Sequence, residues 1–90
     1  MEKAVLTVIG RDKVGIIAAV SRMLADAGCN IMDISQTTME DIFTMTMLVD
    51  VTSVNGGFAP LAGKLRELGR EMDLQIQLQH VDIFNAMHKI

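Results

Sequence analysis

The sequence predicts an α+β fold of the split βαβ type. Three observations carry that prediction: two segments with apolar residues at every third or fourth position, four segments with strand-like spacing, and their order of strand, helix, strand, strand, helix, strand. The chain has 90 residues, half of them apolar. That is enough for one hydrophobic core and too little for two. One domain over residues 1–90 is expected, ending in a short helical tail at 82–90.

Residues 4–9 form strand 1: apart from Thr7 they are apolar on both alternating faces, as suits a strand inside a sheet. From Ile16 the spacing changes to Ile16, Val20, Leu24 and Ala27, flanked by Ile17 and Met23, which predicts an amphipathic helix. Asp12 or a neighbour is expected to cap its start, and Gly28 to end it in a left-handed conformation. Strand 2 runs from Ile31 to Thr38. In strand 3, Phe43, Met45, Met47, Val49 and Val51 occupy alternate positions. Met39-Glu40-Asp41 between them is long enough for a hairpin and too short for a crossover, so these strands are antiparallel.

Ser53-Val54-Asn55-Gly56-Gly57 is the clearest loop. Phe58, Leu61, Leu65, Leu68 and Met72 then mark helix 2, with Pro60 tolerated in its first turn and Lys64, Glu67, Arg70 and Glu71 on its wet face. Leu74, Ile76 and Leu78 alternate with Gln75, Gln77 and Gln79 in strand 4, which therefore has one wet face. Asp82 precedes Ile83, Met87 and Ile90, the spacing of the helical tail. With right-handed crossovers these elements assemble into a ferredoxin-like, four-stranded antiparallel sheet of order 4-1-3-2, with both helices on one face and strands 2 and 4 at the edges.

Composition narrows the function. With 8 basic against 11 acidic residues, no Trp or Tyr and three Phe, the chain lacks the clustered cations and stacking platforms of a nucleic-acid surface. Its longest nearly unbroken apolar run, Val14 to Val20, is far short of the ~20 residues that cross a bilayer. Met1-Glu2-Lys3 leads into strand 1 without a basic, cleavable leader, so a cytoplasmic location is expected. A lone cysteine, Cys29, forms no internal disulfide and no multi-cysteine metal site, and is read as a small apolar filler. His80 is in phase with Leu74, Ile76 and Leu78 and is read as a strand-end histidine. A metal set of His80, Asp82 and His88 would require the tail to fold back. No cofactor is expected.

One local feature has chemical content: the glycine-bounded loop Gly10-Arg11-Asp12-Lys13-Val14-Gly15 at the start of helix 1. Amides at a helix start attract an anionic group, and Gly15 lets a ligand approach the backbone. A zwitterion fits, with the amides meeting its carboxylate and Asp12 its ammonium. The structural alternative is that Asp12 caps the helix and Gly15 makes a tight turn. An acylphosphatase-like hydrolase is the main catalytic competitor, with Arg11 holding phosphate, although the Gly-Val-x-Phe-Arg stretch of such enzymes is absent.

Gly10-Arg11-Asp12-Lys13-Val14-Gly15-Ile16-Ile17 and Gly28-Cys29-Asn30-Ile31 resemble the two signature segments of ACT domains. The likeness covers nearly the whole chain. It is greatest to the free-standing single-ACT-domain proteins of bacteria and archaea, including Asn30-Ile31-Met32-Asp33-Ile34-Ser35-Gln36 and Ile83-Phe84-Asn85-Ala86-Met87. The resemblance implies a non-catalytic regulatory domain that binds a small metabolite, an amino acid in many members, between two copies and acts on a separate regulated protein. Asp12 and Asn30 match the family's ligand-holding positions. With their neighbours Lys13, Val14, Gly15, Ile16 and Ile31 they make up the candidate ligand site. The family's common Asp-Arg-Pro-Gly reads Asp12-Lys13-Val14-Gly15, without the proline that stiffens the loop. Asn30 also reads as a turn residue after Gly28.

A free strand edge invites a second copy, so a homodimer through edge strand 2, where Ile31, Met32 and Ile34 lie, and helix 1 is expected. The pocket would then be a product of dimerisation. The alternatives are the hydrolase using Arg11 and a ligand-free assembly module.

Overall fold

The computed structural model describes residues 1–11 and 14–82. Its elements are β1 (Lys3–Arg11), α1 (Ile16–Asp26), β2 (Asn30–Met39), β3 (Ile42–Asp50), α2 (Phe58–Met72) and β4 (Leu74–His80). They follow the order expected from the sequence. The strands pair antiparallel in one sheet of order β2-β3-β1-β4, the expected arrangement named from its other edge. The expected helical tail falls almost wholly outside the described residues, of which Asp82 is the last.

Strands β1 and β2 are longer than their apolar spacing suggests, whereas β3 is shifted by one residue and ends before Val51. Lys3, Arg11 and Asn30 carry no apolar signal, yet their backbones continue the pairing: Lys3 stands opposite Asp50, Arg11 opposite Ile42, and Asn30 opposite Asp50. The β2–β3 connection is tighter than expected, with only Glu40 and Asp41 between the strands and Glu40 at φ 57°. Register shifts between Ile31 and Asp33, a bulge at Met32 that no local sequence pattern announces.

Alternation sorts each strand into a covered and an open face. Leu6 and Val8 of β1, Met45, Met47 and Val49 of β3, and Ile76 and Leu78 of β4 are buried beneath Ile16, Val20 and Leu24 of α1 and Leu61 and Leu65 of α2. Each fully buried Leu or Met contributes about 1.5–3 kcal/mol of apolar transfer. Helix α1 leans over β2 and α2 over β4. The α2 approach is close because Gly69 has no side chain: a Cβ there would lie 2.7 Å from the Leu74 carbonyl oxygen.

Gly28 ends α1 as expected. At φ 77° it lets the Gly28 N–H donate to the Ala25 carbonyl and the Cys29 N–H to the Leu24 carbonyl, each at 3.0 Å, the paired bonds of a Schellman motif. The start of α1 differs from expectation. Gly15 occupies the N-cap position at φ 93° with no side-chain cap, so Asp12 is three residues too early to be the capping residue.

Candidate ligand-binding site

The five candidate residues that the structure describes fall into two groups at opposite ends of the sheet. Asp12 and Lys13 lie outside the described residues. Of their neighbours, Val14 is fully exposed, Gly15 turns the chain, and Ile16 is buried at the first position of α1. Ile16 therefore anchors the loop to the core. Among the described residues nothing lies within 4 Å of the place a Cβ would take on Gly15, which leaves its backbone open to an approaching group on their side. Among the described residues no acidic side chain stands in the first turn of α1, and none caps its leading amides. They make that end electropositive.

Asn30 opens β2 and is exposed, whereas the next residue, Ile31, is partly buried against the core. The bulge then sets in, and Met32 and Ile34 are 40% and 43% exposed. The register fixes how far Asn30 is from the loop. Arg11 shares a row with Ile42 and Met39, whereas Asn30 shares one with Asp50 and Lys3. Eight residue steps along β1 separate those rows, about 26 Å at ~3.3 Å per residue. One copy of the chain cannot bring Asn30 and the loop to the same small molecule.

Exposed apolar side chains lie along β2 and beside the loop, on both faces of the sheet: Ile34 is in register with buried Met47, whereas Met39 and Ile42 share the open face with Arg11. Val14 and Ile17 flank the start of α1, Met32, Ile34 and Met39 lie on β2, and Ile42 follows the hairpin. Ile17, Met39 and Ile42 were not singled out from the sequence for this surface. Their signal was available, since each is a large apolar residue beside an expected edge or turn.

Arg11, the anion-holding residue of the hydrolase alternative, points its guanidinium to Asp41 across the hairpin end at 3.9 Å, and both side chains are exposed. A carboxylate beside that cation opposes phosphate binding. Cys29 packs against the core, and burial, followed by the charge of Asp50, pushes its thiol pKa up, which favours the inert thiol. His80 ends β4 and stacks on Phe58, with ring centroids 3.9 Å apart. That contact explains its place in the apolar phase of β4. His88, which a metal set with His80 and Asp82 would need, lies outside the described residues. Among the described residues no group of His, Cys, Asp and Glu is arranged to hold a metal, and no helix is long and apolar enough to cross a membrane.

The ACT domain family model matches residues 2–79, nearly the whole described chain. The chain belongs to the ACT domain family. This ACT domain is 49% identical over 90 residues to a UPF0237 protein of Methanococcus maripaludis, and the match spans 100% of both chains. Its fold superposes on an ACT domain protein from Streptococcus pneumoniae with a TM-score of 0.79 and 39% identity, covering 97% of this chain and 98% of the other. The ligand-free regulatory subunit of aspartate kinase from Thermus thermophilus shares the fold, with a TM-score of 0.65 and 22% identity over 87% of this chain and 50% of that one. ACT domains are typically regulatory domains that bind small ligands such as amino acids.

Proposed function

We propose that this ACT domain is a non-catalytic, cytoplasmic regulatory module that binds a small metabolite, an amino acid in the first instance, between two copies joined along β2, and passes the bound state to a partner protein. The observation that carries the reading is the free β2 edge, along which Met32 and Ile34 are exposed, together with exposed Val14 and Ile17 at the start of α1. Covering it with a second copy removes those side chains from water and gives the unpaired backbone of β2 a partner.

The separation of the two halves of the site supports the same arrangement. Two-fold, antiparallel pairing of β2 with β2 brings Asn30 of the partner subunit to the level of Met39, the end of the sheet where the Gly15 loop lies. Helix α1 leans over β2, and in this reading its amino-terminal end faces the paired edge. In this reading the α1 amides meet the ligand carboxylate, Asp12 meets its ammonium, and Asn30 of the partner subunit completes the contact. Lys13, Val14, Ile16 and Ile31 shape the surroundings.

Thermal-shift screening against the amino acids and common metabolites, read together with light scattering, tests the reading. A ligand at a hundredfold excess over its Kd stabilises the folded protein by about 2.7 kcal/mol. The expected result is a dimer stabilised by at least one amino acid, with Asn30→Ala and Asp12→Ala each weakening binding while the fold is kept. Unchanged affinity in both variants overturns the site. A dimer that no metabolite stabilises favours the bare assembly module, and turnover of an acyl phosphate favours the hydrolase.

A further inference from the structure

We propose that the groove between α1 and α2 is a second binding site, complete within one protomer, for a small apolar monocarboxylate. The groove runs between α1, which leans over β2, and α2, which leans over β4, where small residues leave a gap among larger ones. Ala19 and Ala27 of the α1 segment and Gly56 before α2 leave a hollow of about 550 Å³ that the core does not fill. That volume lies in the range of small-molecule sites. Met23 and Leu61 line it from opposite helices, with Pro60 at one end, so the interior takes an apolar tail.

The rim selects the head group. Arg22 of α1 and Lys64 of α2 border the same hollow from its two sides. Asp26 also borders it, but its carboxylate is directed to Arg22 at 3.6 Å, leaving the rim one positive charge in excess. This local surplus stands against a chain whose net charge is −3. A carboxylate between the two cations makes charge-assisted contacts to both helices, and the Asn55 amide at the groove end is a further donor. An alcohol of the same shape offers no charge to the rim, and a dicarboxylate would place a second charge against Met23 and Leu61. Neither the Gly15 loop nor Asn30 lines this groove, so the site is independent of the pocket proposed between two copies.

The test uses the full chain with 4-methylpentanoate as probe and 4-methylpentan-1-ol as the uncharged control, observed through the methionine methyl carbons by NMR. The expected result is a saturable shift confined to the Met23 methyl, with a Kd in the millimolar range or tighter, and at least about tenfold weaker binding of the alcohol. Replacing both rim cations, Arg22→Gln with Lys64→Gln, weakens the acid about tenfold and leaves the alcohol unchanged. Ala19→Leu fills the hollow from a half-buried helical position that faces it and abolishes the shift while the melting temperature is retained, whereas Asn30→Ala leaves the shift intact. No saturable Met23 shift, an equal response to acid and alcohol, or binding indifferent to both the rim and Ala19 variants overturns the proposal.

Discussion

The two edges of the sheet are built to opposite ends. β4 is short, places Leu74, Ile76 and Leu78 beneath α2, and turns Gln75, Gln77 and Gln79 outward. Arg66 and Arg70 of α2 flank it and add charge to the rim. Uncharged polar side chains, nearby cations and a covering helix discourage a further strand from adding there. β2 is ten residues long, and only Ile31 is even half-buried. Its Met32 and Ile34 face water, and neither Lys, Arg nor Pro occurs along it. One edge is closed by packing, whereas the other keeps an apolar surface that a monomer gains nothing from exposing. Pairing is therefore expected on β2 alone.

The comparison breaks most visibly on the closed side. Gly69→Ala places a Cβ within 2.7 Å of the Leu74 carbonyl oxygen and 3.0 Å of Ile76 Cγ1. Pushing α2 off β4 is expected to outweigh the gain in helix propensity and cost about 2 kcal/mol net in urea unfolding. Gly63→Ala in the same helix meets open space and is expected to stabilise by up to about 1 kcal/mol. If both changes act alike, the close approach is not what holds that edge.

On the open side, Ile34→Lys is expected to weaken self-association at least tenfold, about 1.4 kcal/mol, in sedimentation analysis, with little change in monomer stability. The matching change on the other edge, Gln77→Lys, should leave association unaltered. Equal effects would remove the distinction between the edges.

The smallest effect sharpens the description of the Asn30 end. Asp50, opposite Asn30, has its carboxyl pKa held below the usual 3.8, first by the Thr52 hydroxyl at 2.6 Å and then by the Thr52 N–H at 2.9 Å. Because the folded pKa is the lower one, this contribution is present above 3.8 and is lost as pH falls through the folded value. Thr52→Val removes the hydroxyl bond, so carboxyl NMR titration is expected to show Asp50 moving back towards 3.8 while its backbone bond persists.

The elements were legible because each writes its period into the chain. The Gln–apolar alternation of β4 and the three-four steps of Phe58 to Met72 are direct records of a half-buried strand and a one-faced helix. Connection lengths and crossover handedness then leave one strand order. What escaped depends on tertiary pairing. The strand extensions at Lys3, Arg11 and Asn30 exist because a neighbour supplies hydrogen bonds, and the Met32 bulge because two registers must be reconciled. The cap at Gly15 escaped for another reason: Asp12 has the favoured side chain, but the chain makes its left-handed turn three residues later. Of the site, the loop and Asn30 were legible by resemblance, yet their placement at opposite ends follows only from the register.

The most direct test is an isotope-filtered NMR experiment on an equal mixture of labelled and unlabelled chains, which detects only contacts between copies. The account predicts cross-subunit contacts from Ile34 to the β2 strand of the partner subunit, and from Asn30 of one copy to Val14 or Gly15 of the other. Cross-subunit contacts confined to β4 or to the open face of the sheet, or a protein monomeric at millimolar concentration, would contradict it.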